Sequence, residues 1–453
     1  MPMGGGDAVP GHVDVQPIHT QLVRDAAGQL IEKNTFTPGA ATGTPHAAPP
    51  VLQARLAYSY GPAGHILQAQ QFSAQGELQS RQTWQYDALG QVLKEEAEHT
   101  VQGHLHSSTL RYQYDALGNR TATQLPDGRT LNHLYYGSGH LHQINLDGAV
   151  LADIERDDLH REVLRTQGRL ASRFAYDPVG RKAATWVRPA MLRVGHGIGN
   201  DRHANAGWSP RSADWTQRLQ RRNPEDTLLK RYGYDKNGEL TSVEHSQQGQ
   251  TRHQYDQAGR ITHTQATQPE RNEHFHYDLA GNRISALEER NLSTQGRGWV
   301  QNNRVKVLQD KRYDYDGFGR LIRKRIGSHT EQHYRYNHQH PLNQLAVVRA
   351  GKDGQPQSQV CNYQYDALGR RIAKAHRFGS TVFTREGMRL LQENRIPYTR
   401  TYVRDPSRNA SLARCVLSDS LIPPHAGKPM EKPTNRAGIS PPKLRSSHTH
   451  QKT

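Results

Sequence analysis

The chain has only two cysteines, Cys361 and Cys415, in 453 residues. Two thiols cannot build a disulfide framework or a cysteine-based zinc centre, and they say little about compartment. Apolar residues are also scarce, at 34%, against roughly 45–50% in ordinary globular domains, a figure that also counts glycine. A compact enzyme around a thick aliphatic core is therefore disfavoured. No apolar run reaches the roughly 18 residues of a membrane-spanning helix. The opening segment Met1–Pro10 (MPMGGGDAVP) has neither a basic nor an apolar signal region, so no signal peptide is expected.

Charge is one-sided: 59 Lys and Arg against 42 Asp and Glu give +17. Nucleic-acid binders gather such charge into blocks. Here arginine is spread along the chain, with short clusters at Arg218, Arg221 and Arg222 and at Arg320, Arg323, Lys324 and Arg325. The expectation is a soluble basic surface, not a nucleic-acid partner.

What the sequence does contain is a repeat. Tyr-Asp-x-x-Gly occurs in eight full copies, carried by Tyr86, Asp87 and Gly90; Tyr114, Asp115 and Gly118; Tyr176, Asp177 and Gly180; and Tyr234, Asp235 and Gly238. The others are Tyr255, Asp256 and Gly259; Tyr277, Asp278 and Gly281; Tyr315, Asp316 and Gly319; and Tyr365, Asp366 and Gly369. Degenerate copies stand at Tyr60–Gly64, Phe72–Gly76, Tyr136–Gly139 and Tyr336–Asn337. With these included, several intervals fall to 21 or 22 residues, as from Tyr234 to Tyr255 and from Tyr315 to Tyr336. A period of this length marks a repeat architecture.

Asp first and Gly fourth suit a type I turn, in which Asp accepts from a backbone N–H and Gly tolerates positive φ. Two residues before the Tyr stands a second aromatic: Trp84, Tyr112, Phe174, Tyr232, Phe275, Tyr313 or Tyr363, with His253 the exception. That spacing puts both rings on one face of an entering strand. Apolar residues such as Val92, Leu240, Ile261 and Leu321 begin the returning strand. Each copy thus predicts a β-hairpin. Single hairpins are unstable in isolation, so successive copies must pair into a long antiparallel sheet. Helix signals are nearly absent, and the fold class expected is all-β. Tyr, 20 of the 32 aromatics, suits an apolar face that meets water at its hydroxyl.

Three regions are expected: a poorly defined lead-in over 1–54, the repeat sheet over 55–415, and a Pro-rich disordered tail over 416–453. Within the sheet, 186–226 lacks a full copy and reads as an insertion or long loop.

The Tyr-Asp-x-x-Gly-Arg-Leu/Ile copies resemble the Rhs/YD-repeat family. So do Asp157–Val163 (DDLHREV), Met388–Glu393 (MRLLQE) and Thr401–Arg414 (TYVRDPSRNASLAR). The resemblance covers roughly 55–415. It implies a strip of hairpins spiralling into a cocoon-like shell that encloses a C-terminal toxin, exported in bacterial members through a type VI secretion apparatus for competition between cells. Relatives so implied include insecticidal toxin-complex cocoons and teneurin-type adhesion proteins. The expected partners are a toxin cargo and the secretion apparatus, and the expected location is cytoplasmic before export, then secreted or cell-surface. The family's autoproteolytic plug carries an Asp-Pro-x-Gly-type motif. Here Asp405–Pro406 is followed by Ser407 and Arg408, so the shell is expected to be incomplete at its C-terminal end, as in a fragment of a larger gene.

No residue is assigned to catalysis, a cofactor or a metal. His104/His106 and His274/His276 have same-face strand spacing, but a zinc site needs three or four ligands. Asp157/Asp158 and Glu288/Glu289 are adjacent pairs, which on strands point to opposite faces. The motif aspartates offer one carboxylate per copy, too few for calcium. Gly195–Asn200 (GHGIGN) lacks a following helix signal and is weak as a phosphate loop. No nucleophile elbow is present. The reading is therefore a non-enzymatic shell module; the alternative is a surface or adhesion module whose aromatic and basic residues bind acidic glycans.

Overall fold

The computed structural model describes residues 18–38, 49–190, 226–284, 300–351, 355–404 and 411–418, the last as backbone except for Cys415. Strands dominate: one sheet has 19 and another 11, with two small two-stranded pairs beside them. The long antiparallel pairing expected from the repeat is present, as two large sheets among the described residues.

Registers run antiparallel from each strand to the next in sequence, as from Val51–Tyr60 to Ile66–Phe72, Leu78–Tyr86 and Val92–Val101. In such a meander the turns that follow the motif tyrosines all fall at one end of the strands. Two strands, His19–Arg24 and Leu30–Thr37, lie inside the expected lead-in and pair with each other and with Val51–Tyr60. Trp186, expected to open the insertion, sits in strand Lys182–Pro189, opposite Leu229 of Leu228–Tyr234. The sheet therefore continues directly from one side of 190–226 to the other. Val416 belongs to strand Ser411–Ser418 rather than to the tail.

The chain divides into two compact units: Met1–Leu110 with Arg290–Arg395, and Arg111–Glu289 with Ile396–Thr453. In the first, Leu56, Ala69, Trp84 and Ala367 form one buried cluster and Val101, Ala373 and Val382 another. The buried face is not purely apolar. Along Leu78–Tyr86 the inward positions are Ser80, Gln82 and Trp84. In the second unit Leu125, Leu131 and Val403 are buried, and the Arg129 guanidinium donates to Thr401 Oγ1 at 3.3 Å.

Candidate functional site: the repeat ladder and its buried copy

The turn is built by the aspartate. In the copy at Tyr86, the Gly90 amide donates to the Asp87 carbonyl at 3.1 Å and the Asp87 amide to the Gln91 carbonyl at 2.9 Å. Asp87 Oδ1 accepts from the amides of Leu89 and Gln91. This is a type I turn closed by a left-handed residue, the three-residue hairpin loop with a bulge. The eight motif glycines have φ between 73° and 91°, where a Cβ is strained. Seven of the eight motif tyrosines sit just past a register shift, as between Gln85 and Tyr86 and between Gln254 and Tyr255; Tyr277, in the short pair with Arg283, does not.

The composition led us to expect a tyrosine hydroxyl turned to water; the structure gives it a protein acceptor instead. It donates to a backbone carbonyl of the preceding hairpin, at the residue that opens that hairpin's returning strand. Tyr86 bonds Ile66, Tyr255 bonds Leu240, Tyr277 bonds Ile261 and Tyr336 bonds Leu321, at 2.8–2.9 Å. Tyr60, Tyr176, Tyr234 and Tyr365 do the same to Leu30, Glu162, Lys182 and Leu342, and Tyr315 bonds Val305, the second residue of the short strand Arg304–Val305. In the degenerate copy at Tyr136 the bond comes instead from its neighbour Tyr135, to Arg120.

Arginine after the glycine completes the link. Nε of Arg181, Arg260 and Arg320 donates to Oδ2 of Asp177, Asp256 and Asp316 at 2.6–2.7 Å. The same guanidinium groups lie 4.6–4.7 Å from the ring centres of Tyr234, Tyr277 and Tyr336 in the following copies. These contacts are cation–π in geometry. These arginines are therefore engaged within the repeat rather than free on a basic surface. His65, at the equivalent position, stacks on Tyr86 at 5.0 Å.

Further turns escaped the motif search, among them Asp25–Gly28, Leu125–Gly128 and Asp157–His160, which close with the same amide-to-carbonyl bond. They lack the preceding tyrosine; a search for Asp-x-x-Gly alone would find the first. Asp157 and Asp158 consequently lie in a turn, not on a strand, and Asp157 is its capping residue.

One copy differs. The pentapeptide YDALG occurs at 86–90, 114–118 and 365–369. Leu89 and Leu117 are 85% and 71% exposed, whereas Asp366 and Ala367 are 1% and 4% exposed. The Tyr58 hydroxyl donates to the Ala367 carbonyl at 2.8 Å, and burial pushes its pKa up to about 12, with Tyr60 and Asp366 adding to the shift. Arg370 donates through Nε to Asp366 at 2.7 Å and through Nη1 to Glu95 at 3.0 Å and the Gly387 carbonyl at 2.7 Å. The Gly387 amide returns a bond to Glu95.

Burial raises the Glu95 carboxyl above its ordinary range, against the pull of Arg370. Burial lowers the Arg370 pKa, but Asp366 and Glu95 outweigh it and the net shift is upward. We take the triad as ionised, because a guanidinium between two carboxylates does not give up its proton. Nearby His99 is buried, its Nδ1 without a hydrogen-bond partner. Burial lowers its pKa to about 4, with Arg370 working the same way and Asp366 against.

Among the described residues no group of three or more His, Cys, Asp or Glu could hold a metal ion. No described helix is long and apolar enough to cross a membrane. His104 and His106 lie on strand His104–Tyr114, with His104 Nδ1 near the Gln102 carbonyl. Gly195–Asn200, Glu288/Glu289, Asp405–Pro406, the cluster at Arg218, Arg221 and Arg222, and the tail from 419 lie outside the described residues.

A family profile described as Teneurin YD-shell matches residues 249–383. Double-stranded DNA deaminase toxin A of Burkholderia cenocepacia is 35% identical over 335 residues, 71% of this chain and 20% of that protein. Toxin protein Tse5 of Pseudomonas aeruginosa is 26% identical over 322 residues, 64% of this chain and 21% of its own length. The chain is a member of the Rhs/YD-shell family. This YD-shell chain spans about a fifth of the length of the curated relatives it matches. Its fold is shared with a Tc holotoxin pore structure from Photorhabdus luminescens, at a TM-score of 0.57 and 15% identity over 90% of this chain and 21% of that one.

Proposed function

We propose that this YD-shell module is a non-catalytic wall that encloses a toxin polypeptide and keeps it inert until delivery to a competing cell, through a type VI secretion apparatus. The observation that supports this most is the ladder itself. Tyrosine hydroxyls, joined in several copies by arginines, tie hairpins to their neighbours, which makes a self-supporting wall from a chain poor in aliphatic residues. The toxins among the relatives agree with that reading. The buried copy at 365–369 then serves to pin one stretch of wall on another.

The test is a co-culture of a strain carrying the gene with a susceptible competitor, comparing wild type with Arg370→Leu. A weakened wall should lower killing, and trypsin should reach cargo that the wild type protects. Undiminished killing by a variant with a clearly lowered unfolding midpoint would refute the container role.

A second reading, binding of acidic glycans, is favoured by one feature. Arg312 and Arg325 stand directly opposite on neighbouring strands, both exposed. Like charges so placed repel; Glu331, opposite Arg325 on its other side, offsets one of them, and an acidic group on a glycan would offset the other. Retention on a sulfated polysaccharide that is lost in Arg312→Gln would support this reading; equal retention of the variant would dismiss it.

A further inference from the structure

Sequence spacing couples His274 with His276, but the sheet couples it with His263. His263 is on strand Ile261–Ala266 and His274 on the short strand Glu273–His274, directly opposite in register. Gln254 faces His263 from the other side. Gln254, His263 and His274 therefore make one row across three strands, with Gln254 and His274 exposed and His263 half-buried.

The two Nδ1 atoms are 2.9 Å apart and the ring centres 4.0 Å. Two imidazole nitrogens this close need an electropositive group between them: one shared proton, or a cation. Metal–imidazole bonds are about 2.0–2.1 Å long. With that length, a 2.9 Å separation subtends an angle at the metal of about 90°. That is the cis angle of a square-planar or octahedral ion, and it is smaller than the tetrahedral angle of a structural zinc.

We propose that His263 and His274 form a bidentate site for a divalent transition ion of the copper(II) or nickel(II) type. Imidazole suits these ions, and the tetragonal angle selects them over zinc. Water and the side-chain oxygen of Gln254, in the same row, are available for the remaining positions. The ion takes the place of the hydrogen between the two facing nitrogens. Glu273–His274 has only two residues paired with Ile261–Ala266. Metal binding therefore staples the last strand of the larger sheet to its neighbour.

The chain has 26 histidines, so the test must be local. Metal-free full-length chain is titrated with copper(II) chloride, following the tightest equivalent by competition and hydrogen exchange across 261–277. One equivalent should slow exchange in that segment. His263→Gln or His274→Gln should abolish the slowing and weaken the tightest equivalent by about a hundredfold, the scale expected when chelation is lost. His104→Gln should change neither. Protection unchanged in both histidine variants, or a tightest equivalent that slows exchange elsewhere, would overturn the assignment. Variants at these positions should fold, since neither side chain is buried.

Discussion

Arg370 and Glu95 stand 275 positions apart in the chain and meet in a buried ion pair at 3.0 Å. Arg370 also caps its own turn through Asp366. In other copies that arginine reaches forward to the next tyrosine; here it reaches into strand Val92–Val101. A residue of the local repeat has thereby become a long-range tie, and its side chain is 2% exposed.

Removing the cation should be costly. Arg370→Leu leaves Asp366 and Glu95 buried without their countercharge, and such a change costs about 3–5 kcal/mol. Glu95→Gln keeps a side-chain acceptor near Arg370 and should cost only about 1–2 kcal/mol. Urea unfolding of the two variants checks the order. Equal midpoints would show that the triad is not what holds this contact.

His99 makes stability depend on pH with a definite sign. Its pKa falls from 6.5 in the ordinary state to about 4 when folded. Through that window the unfolded chain binds a proton that the folded chain does not. Stability is therefore full above pH 6.5 and declines as pH drops towards 4, by on the order of 3 kcal/mol. The raised Glu95 carboxyl acts with the opposite sign, so the informative quantity is the difference from His99→Gln. That variant should unfold with a flatter acid limb, measured by thermal melts from pH 7 to pH 4; parallel curves would count against a buried neutral His99.

The ladder predicts a specific effect of single hydroxyls. Tyr255→Phe removes the 2.8 Å bond to the Leu240 carbonyl while keeping the ring. The loss should be about 0.5–1.5 kcal/mol, with faster hydrogen exchange in strands Leu240–His245 and Gly249–Tyr255. Exchange unchanged there would mean that water replaces the bond without penalty.

Gly118→Val forces a β-branched residue to φ near +82°. That conformation costs about 1–3 kcal/mol, and Gly118→Asn should cost less because Asn tolerates it. Thermal melts rank the three proteins. A Val variant as stable as wild type would reject the turn geometry.

Much of this architecture is legible locally. Asp and Gly at fixed spacing specify a turn by short-range hydrogen bonds and backbone sterics, and a strand period of two puts Trp84 and Tyr86 on one face. These effects act within five or six residues, so the sequence displays them. The destination of each tyrosine hydroxyl was not visible. It depends on which carbonyl a neighbouring hairpin presents, and intervals between copies vary from Tyr234–Tyr255 to Tyr176–Tyr234. The arginine stacking was missed for the same reason. His263 was absent from the sequence-level histidine pairs because cross-strand register, not spacing along the chain, brings it to His274.

YDALG shows where the division falls. By itself the pentapeptide determined a strand end, a type I turn and a left-handed glycine at all three places, since those depend on bonds inside five residues. Only the tertiary structure decided that Leu89 and Leu117 stay at exposed tips while Ala367 is buried with Leu56 and Trp84. The physical reason is burial: apolar contact and a countercharge for Arg370 become available only where two distant stretches of wall come together. A local sequence cannot encode a partner that lies 275 residues away.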